Sequence, residues 1–216
     1  MIYSRQVGML EKLPSPIQKQ VEKGISILKE GGVVAFPTDT VYGLGACANI
    51  ESAVERLYRV KKRPQDMPLP LLLTNAAQIR EVAQQIPELA WLLVRKFLPG
   101  ALTLVLLRSS MVPDIITAGG RTVAIRIPAH TIPVALAEGL GAPIVGTSAN
   151  LSGKPSSVTA DEVYSQFNND IDLIIDGGRC LGGIESTIVD ITGEIPVVLR
   201  EGAISRKELK QVCEVV

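Results

Sequence analysis

Histidine is nearly absent from this 216-residue sequence, with His130 the single one. A Ser-His-Asp or Cys-His nucleophile would have to be assembled around it, yet it stands in a plain strand-to-helix connection and reads as structural. Cysteine is scarce too. Cys47, Cys180 and Cys213 are odd in number, widely spaced and outside any C-x-x-C pattern, which argues against a disulfide framework or a structural zinc site and fits a reducing, cytoplasmic setting. No apolar run approaches the ~20 residues that span a bilayer, and the opening MIYSRQVGMLEKLPSP lacks the unbroken apolar stretch of a signal peptide. A soluble, unprocessed protein without membrane contact is expected. Net charge is missing as well: 22 Lys plus Arg balance 22 Asp plus Glu. No global field therefore gathers nucleic acid, and an electropositive site must come from local placement. Aromatics, at 4%, are few for the stacking platforms of single-stranded RNA readers.

What is abundant is core-forming material: 46% hydrophobic residues and a mean hydropathy of +0.27 suffice for one compact domain over 1–216. Helical periodicity predicts a helix over 16–30, capped by Ser15 and ended by Gly31 and Gly32, then a strand at 33–36. A second helix is expected over 50–60 and a short strand at 69–73, followed by helical stretches at 76–85 and 87–97. Later segments are β-rich: 102–107, 122–127, 144–146, 173–176, 187–191 and 197–200, with helices at 132–139, 160–167 and 205–212 between some of them. Too many strands for pure βαβ alternation predict an α/β sheet of mixed direction with flanking helices.

Five constellations carry polar chemistry. In Phe36-Pro37-Thr38-Asp39-Thr40-Val41-Tyr42-Gly43-Leu44-Gly45 a strand runs into small and polar residues suited to close ligand approach. Gly43, Gly45 and Ala48 also fit the loose G-x-G-x-x-A dinucleotide fingerprint, but the acid it wants about 20 residues on is replaced by Lys61-Lys62-Arg63. A merely structural Gly-rich strand-to-helix turn fits equally. From Arg56 to Arg63 five basic residues occur without an acid. Arg56, Arg59 and Lys62 suit a solvated helix face, whereas Pro64 disfavours helix at Arg63, so Lys61 and Arg63 should project from a turn, a point charge and a fork fit for phosphates.

Arg126 lies inside an apolar strand, where alternation puts it with Thr122 and Ala124, opposite Val123, Ile125 and Ile127. That face is either outward to solvent or a cationic site for a carboxylate or phosphate. The loop 146–157, GTSANLSGKPSS, is either ordinary turn chemistry or a phosphate cradle; it is no P-loop, because Pro155 follows Lys154. Near the end, Gly183-Ile184-Glu185-Ser186-Thr187 and Leu199-Arg200-Glu201-Gly202 are polar clusters abutting β runs.

Taken together, PTDTVYGLGA, KKRPQDMPLP, PGALTLVL, TVAIRIPAH, GTSANLSGKPSS, ESTIVD and VLREGAIS resemble the YrdC-type threonylcarbamoyl-AMP synthases, in that family's order and over nearly the whole chain. The resemblance implies an open twisted sheet with a concave, positively charged cavity. It implies a nucleotidyltransferase that converts L-threonine, bicarbonate and ATP, with Mg²⁺, into threonylcarbamoyl-AMP and pyrophosphate. The product would pass to the tRNA threonylcarbamoyl transferase, and contact with tRNA itself would be weak. By position, Lys61 and Arg63 would be the catalytic pair that grips the phosphates, with Met67, Thr122, Ser148, Asn150, Ser156 and Arg200 completing the ATP site. Thr38, Thr40, Tyr42, Leu72, Arg126, Gly146 and Ser186 would form the threonine pocket, Arg126 suiting the carboxylate. Leu72 and Met67 depart from the histidine and asparagine common there. Two other readings are an RNA-binding module without catalysis and a carbamoyl-adenylate-forming domain of the hydrogenase-maturation type.

Overall fold

The computed structural model describes residues 8–216; the expectation that no leader occupies the first residues falls largely on 1–7, outside them. Helix α1 (Ser15–Lys29) places Pro16 in its first turn, where a missing N–H costs nothing. Ser15 is itself helical and caps nothing; Pro14, extended at φ −58° and ψ 143°, precedes the helix instead. Strand β1 (Val34–Phe36) follows, and then β2 (Gly43–Cys47), a strand where the sequence suggested a strand-to-helix turn. The glycines of β2 answer crowding: a Cβ on Gly43 would stand 2.9 Å from Phe36, and one on Gly45 2.6 Å from Ile144.

Helix α2 (Glu51–Lys61) and strand β3 (Leu71–Leu72) agree with expectation in place, within a residue or two at their ends. The 76–85 stretch is shorter than periodicity suggested: a 3₁₀ turn at Ala76–Gln78 and α3 (Ile79–Val82) stop at Ala83, whose extended backbone bridges to Arg108. The order continues α4 (Glu88–Phe97), β4 (Leu102–Leu107), α5 (Asp114–Thr117), β5 (Thr122–Arg126), α6 (Thr131–Leu140), β6 (Ile144–Ser148), α7 (Ala160–Phe167), β7 (Leu173–Ile174), β8 (Thr187–Asp190), β9 (Val197–Arg200) and α8 (Arg206–Leu209). The last helix is one turn, opened by a capping box between Ser205 and Glu208.

The strands form one nine-stranded sheet in the order β7-β1-β2-β6-β3-β5-β4-β8-β9. Pairings β1–β7, β3–β5 and β4–β8 are parallel and the other five antiparallel, the mixed sheet expected. Alternation along each strand divides the core in two. Ala35, Leu71, Leu104, Val123, Ile125 and Val145 face one side, under α2, α4 and α7. Val34, Phe36, Leu72 and Ile144 face the other, under α1 and α6. These two helices cover only the end of that second face around β1, β2 and β6. Beyond them Thr103, Val105, Ala124, Arg126 and Ile188 floor an open cavity. Among the described residues no helix is long and apolar enough to cross a membrane.

Candidate active site

The cavity measures about 560 Å³, within the range of small-molecule sites. Four cations line it, Lys61, Arg63, Arg126 and Arg200, against two carboxylates, Asp66 and Glu185. A chain of zero net charge has thus gathered positive charge locally.

One end is built on the loop between β1 and β2. Thr38 and Thr40 are 5% and 1% exposed. Thr38 Oγ1 donates to the Val41 carbonyl at 2.7 Å, so its one proton is used, and in its 2.9 Å contact with Thr40 Oγ1 the Thr40 hydroxyl must donate. Thr40 in turn accepts from Arg126 Nη1 at 2.9 Å. Arg126, 7% exposed, also donates to Asp39 Oδ1 at 2.8 Å and to the Gly100 carbonyl at 3.0 Å. Burial pulls its guanidinium below the ordinary value, opposed by Asp39. The alternation read from sequence is therefore right, and the outward-solvent alternative is wrong: the strand's second face is the cavity floor.

Leu72 forms an apolar wall at this end, and Gly146 opposite lacks the Cβ that would lie 2.6 Å from it. Ser186 Oγ meets Thr103 Oγ1 at 2.8 Å. The Tyr42 hydroxyl is turned away to the Gly178 carbonyl at 2.9 Å, and burial, helped by Asp176, raises its phenol well above the ordinary value. Tyr42 thus contributes shape, and no free hydroxyl, to the site.

The other end collects the phosphate candidates. Lys61 does not project from a turn, as the sequence suggested. It closes α2, is 2% exposed, and the helix ends at Lys62, which takes the left-handed conformation at φ 52°. Its Nζ donates to the carbonyls of Ser148 and Asn150 at 2.6 and 2.8 Å and to Asn150 Oδ1 at 3.2 Å, so its three protons brace the loop while its charge faces the cavity. Burial, with repulsion from Arg63, pushes its ammonium down to about 8, against the opposing pull of Glu185. Asn150 is equally engaged, its amide donating to Leu151 and Lys154 carbonyls at 2.9 and 2.7 Å.

Arg63 Nε and Nη2 are held by the carbonyls of Met67 and Pro68 at 3.2 and 2.9 Å. Met67, 46% exposed, stands at the rim. Arg200 grips the Ser186 carbonyl through Nε at 3.2 Å and Nη2 at 2.8 Å, and its Nη1 pairs with Glu185. Ser156 does not line the cavity but reaches it through Glu185, to which its hydroxyl donates. Thr122 shares the face of Ala124 and Arg126 yet lies outside the lining. His130 caps α6, its Nδ1 accepting the Ile132 N–H at 3.2 Å, a structural role as expected.

Three residues that sequence reasoning did not assign belong here: Asp39, Thr103 and Glu185. Asp39 and Glu185 sit inside strings already singled out as polar, and only folding shows which cation each meets. Among the described residues no group of three or more His, Cys, Asp or Glu side chains could hold a metal ion. A divalent cation would instead ride on phosphate oxygens, needing at most one or two carboxylates, and Asp66 and Glu185 are at hand.

Fold and site define a mixed α/β protein with a cavity lined by four cations and two carboxylates on the uncovered face of its sheet. The chain belongs to the Sua5/YciO/YrdC family, described as telomere recombination, whose profile matches residues 26–202. It is 48% identical over 185 residues to the threonylcarbamoyl-AMP synthase of Pyrococcus abyssi (strain GE5 / Orsay), covering 86% of this chain and 54% of that one. The structure of P. abyssi Sua5 complexed with L-threonine superposes with a TM-score of 0.88 at 44% identity, covering 91% of this chain and 58% of that chain. That of E. coli YciO gives 0.78 at 31%, covering 85% and 89%. The chain spans about half the length of the curated relatives it matches from P. abyssi, Bacillus subtilis and Schizosaccharomyces pombe.

Proposed function

We propose that this domain is an L-threonylcarbamoyladenylate synthase, joining L-threonine, bicarbonate and ATP into threonylcarbamoyl-AMP with release of pyrophosphate. The observation that carries the reading is one cavity with two unlike ends: a buried Arg126–Thr40 pair suited to an amino acid, and a Lys61, Arg63 and Arg200 cluster suited to a phosphate chain. The names of the relatives support it, since P. abyssi Sua5 is described in complex with L-threonine.

Threonine's amine and bicarbonate lose water to form a carbamate. A carbamate oxygen then attacks the α-phosphorus of ATP, that bond forms, and the bond to the bridging oxygen breaks to free pyrophosphate. The nucleophile is already anionic, so the protein need supply only positioning and charge neutralisation, consistent with a cavity lining that holds no histidine. Arg126 would seat the threonine carboxylate, with Thr38, Thr40, Tyr42, Leu72, Gly146 and Ser186 around it. Lys61, Arg63 and Arg200 would offset repulsion among the phosphates, Ser148, Asn150 and Met67 would complete that side, and Ser156 would act through Glu185, while Thr122, outside the lining, has no contact to offer there. Mg²⁺ bound with ATP would supply further neutralisation.

The proposal extends to the context the family resemblance implies: one domain carrying the whole site, action in the cytoplasm, and transfer of the product to the tRNA threonylcarbamoyl transferase, with at most weak contact to tRNA. Pyrophosphate release, with threonine, bicarbonate and ATP withheld in turn, tests the reading; release that does not depend on threonine rejects it. Lys61→Ala and Arg63→Ala should each lower turnover by about 10² or more, the scale of losing one oxyanion donor.

A further inference from the structure

The ESTIVD string opens on a carboxylate, Glu185, that lies inside the cavity. Glu185 sits among the groups assigned to phosphate. Its Oε1 accepts from the Ser156 hydroxyl and its Oε2 pairs with Arg200 Nη1. It lines the same cavity as Lys61, Arg63 and Ser148, near enough to influence both cations. Burial alone would raise its carboxyl, but Ser156, Arg200, Ser148 and Lys61 together hold it below the usual carboxylate range. Hydroxyls, an ammonium and guanidinium forks around a single anion are also what a phosphate requires.

The backbone of Glu185 is fixed: its carbonyl accepts the Ala203 N–H at 2.8 Å, and Gly202 packs so closely that a Cβ there would stand 2.2 Å from the Glu185 oxygen. The side chain is 31% exposed, so solvent lies beside it. Arg200 holds its place through the Ser186 carbonyl by Nε and Nη2, so releasing Glu185 frees Nη1 alone and does not undo the arginine's position.

We propose that the Glu185 carboxylate stands in for a phosphate in the unliganded protein, keeping Arg63, Ser156, Arg200 and the charge of Lys61 gathered around one anion site that the nucleotide's phosphate chain takes over. This rests on the ATP reading above. Without some anion, the charges of Lys61, Arg63 and Arg200 would repel one another along one wall of the cavity; with a tethered one they stay arranged, at the expense of competition with the incoming ligand.

The test is binding of inorganic tripolyphosphate and of adenosine, by calorimetry with EDTA present, to the wild type, Glu185→Gln and Glu185→Ala. Both variants should bind tripolyphosphate about tenfold more tightly or better, about 1.4 kcal/mol, with adenosine affinity unchanged. Each should also melt lower than wild type without an anion and gain more on adding tripolyphosphate. If Glu185 were a structural anchor or a metal ligand only, tripolyphosphate affinity would fall or stay level in both variants, and the inference would be overturned. If the wild type and both variants bind neither tripolyphosphate nor ATP, the nucleotide reading fails and takes this one with it.

Discussion

Alkaline pH should strip this protein of nucleotide affinity far below the pH at which an ordinary lysine titrates. The Lys61 ammonium, normally near 10.5, is pushed down to about 8, because burial removes its water and Arg63 repels it, while Glu185 pulls the other way. Stability and binding then respond in opposite senses. Between pH 8 and 10.5 the folded chain has released a proton that the unfolded chain still holds, so the Lys61 contribution to stability rises with pH across that window. Below about 8 the buried charge costs the fold roughly 3 kcal/mol, at 1.36 kcal/mol per pH unit of displacement. Binding needs the charged form. With a pKa of about 8, roughly nine-tenths of Lys61 is charged at pH 7 and about 3% at pH 9.5, so the Kd for ATP should rise by up to about 30-fold; an ordinary lysine would change it by less than about 1.2-fold. Direct titration of ATP is the assay, since turnover would mix in the ionisation of threonine and bicarbonate. K61R keeps its charge over the whole range and should bind with little pH dependence, whatever its absolute affinity. A wild-type Kd that is flat from pH 7 to 9.5, or an alkaline loss that survives in K61R, would refute the reasoning.

Arg126→Met removes the partner of a largely buried Asp39 and of the Thr40 hydroxyl; urea denaturation should show a loss of about 3–5 kcal/mol, the cost of breaking a buried pair, and threonine should no longer bind detectably. Gly45→Ala should cost about 1–3 kcal/mol through overpacking against Ile144 and Phe36, with ATP affinity within about twofold of wild type; intact stability with lost ATP affinity would restore the phosphate-loop reading of that segment. His130→Ala should lower stability by about 1 kcal/mol, the value of a helix cap, and leave turnover unchanged. Burial holds His130 below its usual 6.5, against the pull of Asp39. The cap it provides is thus present above that pH and lost as pH falls, when Nδ1 takes a proton and can no longer accept.

What was legible in the sequence depended on whether the signal was local. Arg126 could be assigned to a face because alternation within five residues is enough, and Val123 and Ile125 do pack in the core opposite it. The end of α2 was legible through Arg63-Pro64. Strand β2 was not, because Gly-Leu-Gly-Ala-Cys has neither apolar alternation nor β-branched residues. Its glycines are required by Phe36 and by Ile144, the latter on a strand about a hundred residues away. Lys61 was singled out as projecting from a turn, which it does not do: its three acceptors lie 87 and 89 residues on, so nothing nearby indicates that it braces a loop. Glu185 and Asp39 were visible as acids in polar strings, but the cations they meet come from other elements.

The location of the cavity follows from helix placement and side-chain size together. Helices α1 and α6 pack over β1, β2 and β6 and reach Leu72 of β3, so the second face of the sheet is open beyond them, over β5, β4 and β8. Openness alone would make a flat surface. Depth comes from small residues set side by side on that face, Gly43 on β2, Gly146 on β6, Ala124 on β5 and Thr103 on β4, ringed by longer ones, Leu72, Arg126, Ile188 and Arg200. Burial of Lys61 and Arg126 strengthens their pull on an anion and also makes a bare Lys61 charge costly to the fold. A larger side chain at one central position, such as Ala124→Leu, should therefore abolish threonine and ATP binding together while leaving the melting temperature within a few degrees of wild type. Loss of one ligand alone would mean that the two ends do not share a floor.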